Sequence, residues 1–157
     1  MTIFEQEQFN WLANEFIAQV KNAIKTKPIK RKTKAKGEFE AVANASGQLA
    51  DSLRSEITEN GINVYSLSYI DSLIYGQAPS RIDTTVFEIE NWMNSKGLEY
   101  SAVSILENLQ KNGNSIFQKF GGAESNFLED IDLTPHIETV KQNLILKKIN
   151  EITYANS

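Results

Sequence analysis

Cysteine is absent from this chain, histidine occurs once and proline three times. Each scarcity removes a class of explanation. Without thiols there are no disulfides, no thiolate nucleophile and no cysteine-held zinc, and the same absence is compatible with a reducing cytoplasm. A single imidazole, His136, leaves triads, histidine-led metal sites and most imidazole acid–base schemes without their parts. It falls in the first turn of the last helix expected from the sequence, where the helix N-terminus disfavours its charged form, so a solvated surface residue is expected. No apolar run approaches the ~20 residues that span a bilayer, and no membrane partner is expected. The start, MTIFEQEQF, is acidic and amphipathic, unlike a basic segment leading into an apolar one, so no secretory signal is expected.

What is present is ordinary in amount and uneven in distribution. The 157 residues suit a single domain, and a hydrophobic share of 41% suffices for one core. The net charge of −4 hides a segregation. Lys25–Lys36 (KTKPIKRKTKAK) carries seven of the sixteen basic residues and no acid. With those seven set aside, nine basic residues face twenty acidic ones, a net −11. The chain reads as an acidic body with one cationic segment.

Periodicity places the elements. Thr2 and Glu5 form a capping box, and Phe9, Leu12, Ala13, Phe16, Val20, Ala23 and Ile24 continue an apolar stripe at helical steps. Pro28 limits this long N-terminal helix to about residues 1–25. Residues 26–37 have no period and repelling like charges, which predicts a mobile basic loop. Phe39, Val42 and Ala43 suggest another helical turn, and Ser46 an N-cap for a short helix through Leu49, Ala50 and Leu53. Ser55–Glu59 and Ile62–Ser68 flank Asn60-Gly61, the strongest β signal in the chain and a hairpin of the tight-turn type. The alternation slips near Tyr65, which suggests a bulge. Thr85 with Glu88 predicts a second capping box, and Gly97 a left-handed stop. Ser101 opens a further helix that Gly113 closes. Residues 116–130 lack a clean period and read as a loop with anchored aromatics. Thr134-Pro135 starts a closing helix with Ile137, Val140, Leu144, Ile149 and Ile152 on one face, Glu138 early and Lys147 and Lys148 late. The expected class is α+β, mostly helical: a long N-terminal helix, a β-hairpin or small antiparallel sheet, and several packed helices.

No reactive constellation emerges. The carboxylates Glu88 with Glu90, and Glu129 and Asp130 with Asp132, form local clusters, and i, i+2 pairs do not converge on a helix. The acidic run lacks the glycine turn and closing glutamate of a calcium loop. Gly121-Gly122 has neither P-loop nor dinucleotide spacing. No cofactor, metal or catalytic residue is therefore expected. The cations Lys27, Lys30, Arg31, Lys32, Lys34 and Lys36 admit two readings, contact with nucleic acid phosphates or with an acidic protein partner. No aromatic interrupts the run, which disfavours the stacking platforms usual for single strands. Tyr65, Tyr69, Tyr75, Phe87 and Trp92 are expected mainly in the core, with Tyr75, just before Gly76, closest to a surface contact.

Three pieces together resemble the neck and tail-completion proteins of tailed bacteriophages, the minor tail components that connect head to tail. SGQLADSLRSEI (Ser46–Ile57) is similar to their Ser-Gly-x-Leu-x-x-Ser-Leu opening, and YIDSLIYGQAPSR (Tyr69–Arg81) to their Tyr-x-x-x-Leu-x-Tyr-Gly-Arg-x-Pro turn, with Gln77 where a basic residue is usual. EIENWMNSKGL (Glu88–Leu98) is similar to their Ile-x-x-Trp…Lys-Gly-Ile helix. The order matches over residues 46–157, a tail-completion-like body. The resemblance implies a non-catalytic virion structural protein, assembled in the host cytoplasm and located in the virion neck or tail. It implies a homo-oligomeric ring touching portal or adaptor proteins and tail proteins, with DNA passing nearby. The basic segment and Tyr69, Tyr75, Gln77 and Arg81 would carry contacts. The alternative is a small nucleic-acid-binding accessory protein acting through Lys25–Lys36.

Overall fold

The computed structural model describes residues 1–43 and 47–157, so the Ser46 cap expected from the sequence lies outside the described residues. The elements run α1 (Ile3–Thr26), β1 (Ile29–Thr33), β2 (Gly37–Ala41), α2 (Gly47–Ser52), β3 (Arg54–Thr58), β4 (Gly61–Tyr65), α3 (Tyr69–Ile74), α4 (Val86–Lys96), α5 (Ala102–Asn112), α6 (Ser115–Phe120) and α7 (Thr134–Ala155). Single 3-10 turns occupy Pro79–Arg81 and Asn126–Leu128. With 60% helix and two small antiparallel sheets, the protein is α+β, as expected. The backbone divides into two compact units.

The first unit holds residues 1–26, 47–67 and 128–157 of the described chain. Helix α1 starts on the expected capping box: the Thr2 amide donates to the Glu5 carboxylate at 2.6 Å, and the Glu5 amide donates to Thr2 Oγ1 at 3.2 Å. It buries Ala13, Val20, Ala23 and Ile24 and ends two residues before Pro28. It packs against β3 and α7. A side chain on α1 also pins the entry to α7, since Gln19 donates to the Asp132 carbonyl and accepts from its amide. The β3–β4 hairpin forms where expected, with Arg54 opposite Tyr65 and Thr58 opposite Gly61. The two loop residues are thus Glu59 and Asn60, one earlier than the Asn60-Gly61 pair. Thr58 Oγ1 donates to the Gly61 carbonyl and fixes that register. The phase slip near Tyr65 is the end of the strand, and no bulge interrupts the ladder.

Three expectations about α7 are revised. Of the expected face, Val140 is buried and Leu144 half-buried, but Ile137, Ile149 and Ile152 are 40% to 54% exposed. Glu138 and Lys147 and Lys148 lie outside the terminal turns. There Glu138 pairs with Lys141, and both lysines reach Glu151. His136 is only partly solvated, with 27% of its side chain exposed. Its ring lies 5.4 Å from that of Trp11, and its Nε2 is 3.4 Å from Glu15.

The second unit holds residues 27–43 and 68–127. Its largest departure from expectation is the basic segment. Instead of a mobile loop, residues 29–33 form β1, paired antiparallel with β2 from Ile29↔Ala41 to Thr33↔Gly37. Phe39 therefore belongs to a strand, not to a helical turn. The alternation is real but carried by charges. Ile29 is buried, Arg31 and Thr33 are half-buried, and Lys30 and Lys32 are exposed. Strand β1 packs on α6, a six-residue helix within the stretch that reads as a loop. Six residues are too few for a period to show. Helices α4 and α5 pack together around Ile89, Met93 and Ala102, flanked by Val86, Leu98, Ile105, Leu106 and Leu109. Thr85–Glu88 caps α4 reciprocally, Gly97 stops it at φ +63°, and Ser101 caps α5, all as expected.

Two glycines allow the unit to close. Gly76 has φ +72°, and a Cβ there would lie 2.3 Å from the Phe117 amide nitrogen. A Cβ on Gly113 would lie 2.6 Å from the Gln77 carbonyl oxygen. Both are backbone or ring neighbours that have no room to retreat. Gly97 also has positive φ but meets nothing within 4 Å. Gly76→Ala or Gly113→Ala is expected to cost about 2–4 kcal/mol from overpacking plus left-handed strain. Gly97→Ala should cost only about 1 kcal/mol, from strain alone. Urea unfolding of the three variants checks the order.

Candidate interaction surfaces

Residues Ser125, Asn126 and Phe127 hold the second unit together. Ser125 donates its amide to the Ile74 carbonyl and its hydroxyl to the Leu73 carbonyl, both at 2.6 Å, so it completes the end of α3. The buried Asn126 side chain acts as a missing strand. Its Oδ1 accepts the Lys30 amide at 2.8 Å and its Nδ2 donates to the Pro28 carbonyl at 3.0 Å. Phe127 is almost wholly buried. One tripeptide therefore ties α3, β1 and the core. Phe127 is one of the anchored aromatics that the sequence suggests, whereas Ser125 and Asn126 do not stand out, because a polar pair has no period.

The hairpin's charges are sorted by its pleat. Arg31 points inward, where Nη1 donates to Ser115 Oγ at 3.2 Å and the buried Nε has no partner among the described residues. Burial lowers its pKa from the ordinary value, with Tyr69 opposing. Outward-facing Lys30 and Lys32 sit opposite Glu40 and Glu38 in the ladder, and opposite charges directly across a ladder attract. Lys119 of α6 also reaches Glu38, at 2.5 Å. Its hydrogen bond and charge hold the Glu38 carboxyl below the usual range, with Lys32 and Lys30 assisting. Lys27 is half-buried just before the strand. Lys34 and Lys36 are exposed at the turn, and Lys36 lies 5.2 Å over the Phe39 ring.

The remaining residues singled out in the sequence converge. Tyr69, Tyr75, Gln77 and Arg81 line one polar cavity of about 750 Å³, with Asp71 and Asp83. Its wall is a rigid turn. Gln77 donates its side-chain amide to the Arg81 carbonyl at 2.8 Å. The Gln77 amide donates to Asn114 Oδ1, while the Asn114 amide donates to the Gln77 carbonyl. The same Asn114 oxygen caps α6 by accepting the Phe117 amide. A second, largely apolar groove of about 810 Å³ is lined by Lys34, Lys36, Phe39, Trp92, Tyr100 and Ile105, among others. Of the aromatics expected in the core, Tyr65, Tyr69, Phe87 and Trp92 are on the surface instead, 41% to 67% exposed, while Tyr75, 49% exposed, lies at the surface as expected. Smaller residues such as Ile89, Met93 and Ala102 fill the interior in their place.

Among the described residues no group of acidic or histidine side chains is placed to hold a metal ion, and no helix is long and apolar enough to cross a membrane. Comparison with family models, with curated proteins and with solved structures finds no match to this chain.

Asn126→Ala should cost about 1–3 kcal/mol, because it leaves the Lys30 amide and the Pro28 carbonyl without partners. Hydrogen exchange at Lys30 reads the loss locally. For Glu38 the sign runs with its lowered pKa. Its pairing contributes fully above the unfolded carboxylate pKa of about 4.3 and is lost as pH falls through the lower folded value. An NMR titration is expected to place Glu38 below the ordinary glutamate midpoint, and Lys119→Met to return it upward.

Proposed function

We propose that this chain is a virion structural protein of the neck or tail-completion kind, forming a homo-oligomeric ring between the portal or adaptor proteins of a phage head and the tail. The observation that carries the reading is the surface of the second unit. An aromatic groove with a cationic lip and a rigid, tyrosine-bearing turn occur in a chain whose remaining surface is acidic. Exposed aromatics of this size suit protein contacts. Unlike patches on identical subunits assemble head to tail and close into rings when the rotation permits. The motif order over residues 46–157 supports the same reading.

The nucleic-acid alternative draws less support from the charges. Of the cations in the basic segment, Lys30 and Lys32 lie opposite glutamates and Arg31 is turned inward. The cationic surface left for a phosphate backbone is small.

The deciding experiment deletes the gene in a phage-producing culture. Separate filled heads and tails, restored to joined particles by the purified chain, are expected, and peptide counting should give a small fixed number of copies per particle. Joined, infectious particles without the gene would overturn the reading. So would submicromolar DNA binding with a steep salt slope that is lost on neutralising Lys30, Arg31, Lys32 and Lys34.

A further inference from the structure

Resting on the ring reading, we infer that neighbouring copies meet through a knob and a groove: Phe87 of one copy enters the groove floored by Phe39, Trp92 and Tyr100 of the next. Phe87 is 67% exposed in the first turn of α4. Nothing in its own unit covers it. Glu90, three residues on, is its neighbour on the helix surface, and Asp83 lies three residues before the helix; both are exposed and neither is in an ion pair among the described residues. Glu88, by contrast, is occupied in the cap of α4.

The groove has the opposite character. Trp92 and Tyr100 are 47% and 69% exposed on a mostly apolar floor, and the turn residues Lys34 and Lys36 stand at its lip without a carboxylate partner among the described residues. An acid-flanked aromatic is what this surface complements, and this chain provides one. Like charges would oppose groove against groove and knob against knob.

The geometry also sets the sense of assembly. Phe87 and Trp92 are five residues apart on one helix, so they point about 140° apart around its axis. A two-fold pair would need knob and groove on one face to meet reciprocally, so a knob and a groove that point apart favour head-to-tail contact. They propagate from copy to copy, which is the heterologous contact that rings require.

The absence of cysteine makes the test direct. An Asn91→Cys chain, which keeps Phe87 intact one helical turn away, and a Ser104→Cys chain, carrying its thiol in the groove wall, are mixed in equal amounts and mildly oxidised, with circular dichroism confirming that both are folded. The 91–104 cross-linked pair is expected to exceed either homodimer several-fold, and adding Phe87→Ala to the Asn91→Cys chain should remove that excess. Reversing Lys34→Glu and Lys36→Glu in the Ser104→Cys chain should lower the yield roughly tenfold. A chain carrying both cysteines should give a ladder of covalent oligomers. A cross-linked pair at no more than its statistical share, or a yield indifferent to the charge reversal, would overturn this contact. That failure would leave the ring reading to the gene-deletion experiment. Selective cross-linking beside joined particles lacking the gene would keep the contact and reject the phage role.

Discussion

The side-chain amide of Asn126 supports much of the second unit. A two-stranded hairpin is marginal by itself in water, and one dense in lysine is more so. Asn126 gives β1 a third set of hydrogen bonds at its first residues, from a buried position where an unmade bond is costly. Ser125 and Phe127, its neighbours, fasten the same point to α3 and the core. The cationic turn is thereby held at the end of an ordered strand pair, beside α5 and α6.

That order changes what the positive charge means. Spread along a flexible segment, seven cations would act as a diffuse attractor for phosphates. Only five of them belong to the hairpin, where the pleat sorts them into one inward guanidinium, two ladder partners of glutamates, and a pair at the turn; Lys25 ends α1 and Lys27 precedes β1. The net field is smaller and more local. It favours a defined acidic patch over a long polyanion.

A parallel economy governs the aromatics. Ile89, Met93 and Ala102 fill the core between α4 and α5, while Phe87, Trp92 and Tyr100 remain outside. Exposed rings of this size leave apolar surface in water, at roughly 25 cal/mol per Å². Such a surface is well suited to burial in an assembly, and the rigid glycine-dependent turn at Gly76 and Gly113 keeps the neighbouring Tyr69 and Tyr75 in fixed positions.

The local signals were legible from residue order alone. The Thr2–Glu5 and Thr85–Glu88 caps, the left-handed stop at Gly97, the Ser101 cap and the α7 start at Thr134-Pro135 all depend on contacts within a few residues, so the sequence contains both partners. The α+β class followed from them. What only the tertiary structure decided depends on partners far apart in the chain. Lys30 lies 96 residues from Asn126, and Arg31 lies 84 from Ser115. No periodicity encodes such pairs. The β1–β2 hairpin was hidden because β1 carries cations on both faces, so its alternation in burial does not show as hydrophobicity, and the strand packs on α6 and Asn126 far along the chain. Which aromatics stay outside was equally undetermined, since a ring is buried only if another element arrives to cover it.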